Sequence, residues 1–291
     1  MARLRIGISG WRYAPWRGKF YPKDLPQRQE LHYASRQFDS IEINGSFYSL
    51  QRPESWRRWY DDTPRGFVFA VKAPRFITHV RRLREMEKPL ANFLASGVLE
   101  LREKLGPILW QFPPNLKYDE ALFDAFLTLL PRDSERAAAM ARGHDSHIRH
   151  VGELSTDRKR RLRHALEVRH ESFADPAFIQ LLRRHRVGLV ISDAATEWTK
   201  LQDVTAGFVY LRLHGDKVLY ASGYSDAALD DWARRIRTWM HGKQPRDASP
   251  RASRVAPPAR KSRDVYCYFD NDAKVKAPFD ARKLRERLPP P

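Results

Sequence analysis

Seven or eight times along the chain, a short run of hydrophobic residues ends in a charged or amide residue, and a helix-like stretch precedes the next run. Period-two alternation marks several of these runs as strands. The runs are Leu4–Ser9, Ser40–Asn44, Phe67–Lys72, Pro107–Gln111, Ala165–Arg169, Leu189–Asp193, Phe208–His214 and Val265–Asp270. Strands that alternate with helices imply parallel pairing with right-handed crossovers. The pattern therefore predicts an α/β fold, a TIM-type (β/α)8 barrel.

Helix-start signals lie between the runs. Proline or a capping side chain opens each of four segments, which are Pro53 to Trp59, Glu120–Leu130 after Asp119, Pro176 to Arg184 after Asp175, and the stretch from Ser225 to Met240. The length of 291 residues suits one barrel with insertions. We therefore expect a single domain over residues 1–291.

Two segments depart from the strand and helix pattern, and both are basic. Residues 131–163 occupy the place of a short connection, and residues 242–263 mix Pro, Ser, Ala and Arg without an apolar period. We expect both to be mobile surface insertions. They carry about half of the formal charge of +18. The excess favours solvated, arginine-biased surface, with non-specific nucleic-acid binding as the alternative.

Cysteine content and apolar run lengths bear on location. Cys267 is the single cysteine, so no internal disulfide can form. The first strand follows Met1 almost at once, which leaves no room for a cleavable secretory segment. No apolar run approaches the roughly 20 residues that cross a bilayer. We expect a cytoplasmic protein without a membrane partner.

Charged and amide side chains close the predicted strands. Because the C-terminal ends of barrel strands meet at one rim, these side chains are expected to converge there. The charged set is Glu42, Lys72, Glu167, Arg169, Asp193, Arg212, His214 and Asp270, and its neutral partners are Asn44, Gln111 and Asn271. For any one of these residues, a purely structural role is the alternative, in which the charges pair with one another and close the top of the barrel. Eight converging charges favour a binding or catalytic pocket instead.

The residue types suggest roles. The catalytic candidates are Glu42, Lys72, Glu167 and His214. The two glutamates could act as an acid and base pair or as metal ligands, and His214 could transfer a proton or bind a metal. Lys72 could stabilise an anion or pair with a carboxylate of the protein. Arg169 and Arg212 suit bidentate capture of a phosphate or carboxylate. The remaining set members are candidates for substrate binding.

Aromatic residues follow the first two strands. Trp11, Tyr13 and Trp16 come after the first strand, and Phe47 and Tyr48 come after the second. A hydrophobic lid on the core is the slightly favoured interpretation. The alternative is a stacking surface for a sugar or a base, in which Trp11 and Tyr48 would contact substrate.

Several ordered motifs together resemble the YecE-like family, a domain-of-unknown-function family (number 72). The motifs are Gly7 to Tyr13 with Trp16, Glu42 to Tyr48, Lys72 with Thr78 and His79, Gln111 to Pro114, Glu167 to His170, Tyr210 to Gly215, and Tyr268 to Asn271. The resemblance implies a TIM-type barrel without an established reaction. Asp270 departs from it, because the family commonly shows Asn there. A similar barrel shape in the apurinic endonuclease and xylose isomerase group suggests metal-assisted phosphodiester or sugar chemistry by analogy.

The leading hypothesis is an enzyme, a hydrolase or an isomerase, that acts on a small anionic, phosphorylated or sugar-like substrate at the rim. A divalent metal is a candidate cofactor, and the residues that would bind it are not assigned beyond the suitability of Glu42, Glu167 and His214. The alternative is a nucleic-acid-binding protein or a metal-assisted phosphodiesterase that uses the basic surface. The dense His/Glu/Asp array of a multi-zinc site is absent from the sequence, which ranks the last activity low.

Overall fold

Eight parallel strands close into a barrel. The computed structural model describes residues 2–194, 198–216, 219–248 and 250–289. The strands are β1 Leu4–Ser9, β2 Ser40–Ile43, β3 Val68–Lys72, β4 Leu105–Gln111, β5 His164–Glu167, β6 Gly188–Asp193, β7 Phe208–Leu213 and β8 Asp264–Phe269. Each strand pairs with the next one along the chain, and β8 closes on β1. The predicted TIM-type barrel is confirmed, with strand ends within one or two residues of those predicted.

Helices surround the barrel. The α-helices are α1 Glu30–Ala34, α2 Gly45–Tyr48, α3 Pro53–Asp62, α4 Glu87–Ala95, α5 Glu120–Leu129, α6 Ser134–Ala141, α7 Pro176–His185, α8 Asp226–Met240 and α9 Ala277–Glu286. The predicted caps are present: the side chains of Asp119, Asp175 and Ser225 accept hydrogen bonds from backbone N–H groups in the first turns of α5, α7 and α8. These bonds satisfy donors that a helix start leaves free.

The strands divide their side chains between the lumen and the helix layer. Leu109, Ala165, Tyr210 and Tyr268 fill the lumen and form a hydrophobic cluster separate from the one under the helices. At Gly7, a Cβ atom would stand 1.8 Å from the Ser40 carbonyl oxygen, so β1 can approach β2 this closely only with glycine. The lumen is therefore a packed core that supports whatever lies at its C-terminal end.

Part of the segment 131–163 is packed rather than loose. It contains α6, which Asp133 caps, and Ala137, Ala138 and Ala141 of that helix are fully or nearly fully buried. Helix α6 packs against α4. The expectation of a mobile surface insertion is wrong for this helix, because the small alanine side chains allow close helix contact that a search for a large apolar stripe overlooks.

The segment 242–263 has no helix or strand among its described residues but is held against the body. Asp203 accepts hydrogen bonds from the backbone N–H groups of Ala252 and Ser253 at 2.8 and 3.1 Å. The Arg263 side chain is 1% exposed and donates to the carbonyl oxygens of Gly242 and Pro258. These hydrogen bonds anchor the segment, which was expected to be a mobile surface insertion, at two places.

Helices of the outer layer bury one face each. In α8, Leu229, Ile236 and Trp239 are buried while the opposite face carries charged residues. Such one-sided burial is typical of helices that cover a barrel. Among the described residues, no helix combines the length and the apolar character that crossing a bilayer requires.

Candidate active site at the C-terminal rim

Arg212 is the centre of an ionic cluster at the C-terminal end of the barrel. Its side chain is 1% exposed and projects inward near the end of β7. The guanidinium donates from Nη2 to Glu42 at 2.9 Å and to Asp270 at 2.7 Å, and from Nη1 to Glu167 at 2.8 Å. Three strands distant in sequence thus bring three carboxylates to one arginine, as the rim prediction requires.

Glu42 and Glu167 are fixed by further bonds from inward-facing neighbours. Tyr210 and Ser9 donate their hydroxyls to Glu42, and Gln111 Nε2 donates to Glu167 at 2.9 Å. Both glutamates are essentially inaccessible to solvent. Buried charges that are paired and hydrogen-bonded on every side hold one geometry, because removing any partner would leave an uncompensated charge.

The electrostatics of the cluster favour its charged form. Burial alone would raise the pKa of Glu167, but the guanidiniums of Arg212 and Arg169 outweigh it and hold that pKa well below its usual range. Burial alone would lower the pKa of Arg212, and Asp270, Glu42 and Glu167 together raise it well above its ordinary value. Both ions therefore persist across the whole physiological pH range.

His214 lies beside Arg212 and Asp270, and its Nε2 is 3.4 Å from Asp270 Oδ2. Its side chain is fully buried, and burial together with the charge on Arg212 lowers its pKa. Arg212 Nη1 lies 3.0 Å from His214 Nε2, and Ser192 Oγ lies 3.3 Å from Nδ1. Because arginine can only donate, Nε2 accepts and Nδ1 carries the proton. His214 therefore positions Arg212 in this arrangement, and Nε2 can take up a proton only by releasing that bond.

Lys72 differs from the rest of the cluster because its ammonium has no ion-pair partner among the described residues. The residue is 8% exposed, and Nζ lies 4.2 Å above the centroid of the Phe47 ring. No described carboxylate lies within ion-pair distance of Nζ, and no described atom accepts a hydrogen bond from it. Burial and the nearby Arg212 charge lower the pKa of Lys72 to about 8. An enclosed ammonium with unused donors is suited to an anion from outside.

Arg169 completes the positive side of the rim. Its Nε and Nη2 donate to the same oxygen of Glu167 at 3.2 and 3.0 Å, and its guanidinium lies 3.7 Å from the centroid of the Trp198 ring. Burial and the charges on Lys72 and Arg169 lower the pKa of His79 to about 4. The Phe47 ring contacts both Lys72 and His79, whose ring centroid is 5.1 Å away, and Arg169 is near enough to act on the pKa of His79. We call Lys72, Arg169 and His79 together the cationic mouth.

An acidic group absent from the sequence prediction lies near Asp270. Burial and the neighbouring Asp270 carboxylate raise the pKa of Asp272 to about 6. The Tyr13 hydroxyl donates to the Ser9 carbonyl oxygen at 2.6 Å and lies next to Asp272. A carboxyl group with a pKa near 6 can exchange a proton close to neutral pH. The acidic residue two positions after the last strand was the available sequence signal.

Three predicted site residues lie outside the cluster. Asp193 pairs in register with the outward-facing Leu213, and its hydrogen-bond partners are Tyr224 and Trp232 of the outer layer. Ser192, one position earlier, faces His214 instead. A one-residue step along a strand reverses the face, which is why this prediction was wrong.

Asn271 and Trp11 are the other two predicted site residues that lie outside the cluster. Asn271 Nδ2 donates to Asp280 of α9 at 2.8 Å and to the Ser222 carbonyl at 2.9 Å, so it ties the loop after β8 to the helix layer. Trp11 is 6% exposed and packs edge-on against Trp59 of α3. The hydrophobic-lid interpretation therefore holds for Trp11.

Asn44 and Tyr48 lie at the edges of the site. Asn44 Nδ2 donates to Ser9 Oγ at 2.9 Å, while its Oδ1 is buried without a partner. Tyr48 is 72% exposed and lines a groove of about 610 Å³. Its exposed apolar members also include Leu50, Phe76 and Val80. Because Phe47 lines the same groove and supports Lys72, the groove adjoins the cationic mouth.

The carboxylates of the cluster all accept hydrogen bonds from Arg212. Within the described ranges, no three His, Cys, Asp or Glu side chains are grouped so that they could hold a metal ion. Glu42, Glu167 and Asp270 each direct at least one oxygen at the guanidinium. Ligation of a divalent metal by these residues, one of the predicted roles, would require Arg212 to move.

The closed parallel barrel with an ionic cluster at its C-terminal rim defines a TIM-type α/β barrel protein. A family model described as "Protein of unknown function DUF72" matches residues 5–290. The chain therefore belongs to the DUF72 family, and the predicted YecE-like relationship is confirmed.

Relatives and solved structures agree with this membership. The chain is 31% identical over 116 residues to the UPF0759 protein YunF of Bacillus subtilis, and 28% identical over 127 residues to the UPF0759 protein YecE of Escherichia coli K12. These alignments cover 38% and 39% of this chain and span 40% and 44% of the relatives.

Two crystal structures of DUF72 family proteins share the fold. The protein from Thermotoga maritima has a TM-score of 0.72 at 21% identity, and 98% of each chain is covered. The protein from Enterococcus faecalis has a TM-score of 0.68 at 17% identity, with coverage of 98% of this chain and 95% of that one.

Proposed function

We propose that the chain is an enzyme that acts on a small anionic substrate, phosphorylated or sugar-like, at the cationic mouth. The observation that carries the proposal is the buried ammonium of Lys72, which lies over the Phe47 ring and has no ion-pair partner among the described residues. Folding a charge into a site without a partner costs free energy, and binding an anion would recover it. A hydrolase and an isomerase are both compatible with this substrate class.

The proposal changes the roles predicted for Arg212, Glu42, Glu167 and His214. The N–H groups of Arg212 donate to Glu167, Glu42 and Asp270, so Arg212 fixes the carboxylates. Arg169 and Lys72 bind the anion in its place. Asp272 takes the acid and base role, since its pKa of about 6 allows proton exchange near neutrality. Glu42, Glu167 and His214 act as positioning residues.

The groove beside the mouth supports a substrate with an uncharged portion. Its volume of about 610 Å³ falls in the range of roughly 300 to 1,000 Å³ that is usual for small-molecule sites. Phe47 and Tyr48 offer ring faces suited to the apolar face of a sugar. A sugar phosphate or a sugar acid would place its anionic group at Lys72 and its ring against these aromatics.

The first test measures anion binding. We expect inorganic phosphate, followed by 31P NMR line broadening, to bind the wild-type protein and to lose at least tenfold in affinity with Lys72→Met. Lys23→Met removes the same charge from an exposed position and serves as the matched control. Equal affinity in all three proteins would contradict the proposal.

The second test measures turnover. The wild-type protein is incubated with a panel of sugar phosphates and sugar acids, and substrate loss is followed by mass spectrometry. Lys72→Met and Asp272→Asn should abolish any turnover without lowering the melting temperature. Turnover that survives both substitutions would assign the chemistry elsewhere.

Nucleic-acid binding through the basic segments stays a prediction. Arg263 in the second segment is buried and bonded within the protein, so part of that charge is structural. Steep loss of affinity with salt would be the measurement that favours this alternative.

A further inference from the structure

A second cavity lies at the end of the barrel opposite the rim. It sits where β5 begins with His164 and where Arg186 leads into β6. Its volume is about 460 Å³, and its lining is Arg132, Arg161, Leu162, His164, Arg184, His185 and Arg186. Four of these seven residues are arginines, and acidic residues are absent from the lining.

Three of the arginines have no ion-pair partner in the part of the chain that the structure describes. Among the described residues, no carboxylate lies within ion-pair distance of Arg132, Arg161 or Arg186, whereas Arg184 pairs with Glu120 at 3.2 Å. Burial and the charges on Arg161 and Arg186 lower the pKa of Arg132. The three guanidiniums therefore repel one another, and an external polyanion would relieve the repulsion.

The base of the cavity is rigid and uncharged. His164 is buried between the Pro131 carbonyl oxygen, 2.8 Å from Nε2, and Trp110 Nε1, 3.2 Å from Nδ1. Burial lowers its pKa to about 4, so it stays neutral. Arg132 donates to the Leu127 carbonyl oxygen at 2.8 Å and lies 3.1 Å from His185. One guanidinium is thus held in place before any ligand arrives.

We propose that this cavity binds a chain of phosphate groups through Arg132, Arg161 and Arg186. Guanidinium groups match phosphate oxygens with paired hydrogen bonds, and three unneutralised arginines require a ligand with several negative charges. The site is distinct from the cationic mouth, since the two lie at opposite ends of the strands. It does not depend on the proposed enzymatic function.

The experiment uses inorganic tripolyphosphate as the probe and isothermal titration calorimetry as the measurement. The test variant is R161Q/R186N, which leaves the structurally bonded Arg132 intact. Both residues are exposed, and Asn tolerates the left-handed conformation of Arg186, whose φ is 55°. We expect the Kd to rise about tenfold or more.

The matched control is R28Q/R58Q, which removes two exposed arginines that take part in no described ion pair. Its Kd should stay within about twofold of wild type, since only net charge changes. Repeating both titrations in the Lys72→Met background removes anion binding at the rim, so the loss caused by R161Q/R186N there reports this cavity alone and separates this proposal from that at the rim.

A single-stranded oligonucleotide identifies the source of the phosphates. Stronger binding of the oligonucleotide, with displacement of tripolyphosphate, would identify nucleic-acid backbone as the ligand. Binding of tripolyphosphate alone would identify a small oligophosphate. Absence of binding by both, or equal weakening by R161Q/R186N and R28Q/R58Q, would overturn the proposal.

Discussion

The two ends of the barrel use arginine in opposite ways. At the C-terminal rim, Arg212 is 1% exposed and surrounded by Glu42, Glu167 and Asp270. At the other end, Arg161 and Arg186 are exposed and line a cavity whose other described lining residues are arginines, histidines and a leucine. A guanidinium among carboxylates is neutralised within the protein, whereas guanidiniums that face one another repel.

The comparison also separates Lys72 from its surroundings. Lys72 shares the rim with Arg212 but lacks a carboxylate of its own, so it resembles the arginines of the opposite cavity in being unneutralised. Enclosure makes its position more costly than theirs. The largest free-energy effects are therefore expected at Arg212, smaller ones at Lys72, and the smallest at the exposed arginines.

Removing the central guanidinium should have the largest effect. Arg212→Met leaves three carboxylates without their shared partner, and we expect the free energy of unfolding to fall by about 3 to 5 kcal/mol. Urea unfolding monitored by circular dichroism measures it. Arg161→Gln at the opposite end is the control, expected within about 0.5 kcal/mol of wild type. A loss below about 1 kcal/mol for Arg212→Met would mean that the cluster does not depend on its centre.

Glu167→Gln tests the same cluster through pH. The substitution removes the charge that faces Arg212 and Arg169, and we expect a loss of about 2 kcal/mol at pH 7. Because the folded-state pKa of Glu167 is depressed, its contribution is complete above the unfolded pKa of about 4.3 and fades as pH falls below it.

The difference in the free energy of unfolding between wild type and Glu167→Gln should therefore shrink as pH falls from 5 to 2. Unfolding experiments at a series of pH values measure this difference. Glu54→Gln, on the exposed face of α3, is the control and should show little change at any pH. A difference that stays constant down to pH 2 would contradict the pairing.

Lys72→Met should stabilise the protein. Below the folded-state pKa of about 8, the wild-type protein holds an unpaired ammonium in an enclosed position, and a methionine of similar length does not. We expect a gain of about 1 kcal/mol at pH 7. The gain should vanish as pH rises from 8 through the unfolded pKa of about 10.4, because both proteins then carry a neutral side chain.

Urea unfolding at pH 7 and at pH 10.5 measures the stability gained by Lys72→Met. The control is the exposed Lys23→Met, whose stability relative to wild type should not change between these pH values. Destabilisation by Lys72→Met at pH 7 would show that the ammonium has a partner within the protein.

R161Q/R186N should have the smallest effect on stability. Both side chains are exposed, so the melting temperature should change little in the absence of ligand. With tripolyphosphate present, the wild-type melting temperature should rise and that of the variant should not, because a ligand stabilises the state that binds it. Thermal unfolding with and without tripolyphosphate measures both effects.

Much of the rim could be predicted because side chains alternate between the two faces of a strand, and the local sequence shows this alternation. Glu42 and Glu167 each lie on the same strand face as the neighbours that the alternation indicates, and both reach Arg212. Asp193 was placed on the wrong face by one position, and Ser192 occupies the inward site. The error came from taking charge, rather than alternation, as the sign of an inward residue.

Other features depend on distances that no pattern contains. Trp198 lies under Arg169 because the loop after β6 approaches the end of β5. Arg132 and Arg186 are more than 50 positions apart in the sequence, yet both line one cavity. In the sequence their charges were part of a general basic excess, and only their shared position separates a site from solvated surface.

The sequence by itself determined the barrel, the rim and the family, because repeated hydrophobic periods and ordered motifs are written along the chain. The tertiary structure alone decided which charges are neutralised. Whether an arginine meets a carboxylate or another arginine depends on side-chain positions in space, and electrostatic energy varies with that separation and with burial. Arg212 is accordingly paired with three carboxylates, whereas Lys72 and Arg161 have no ion-pair partner among the described residues.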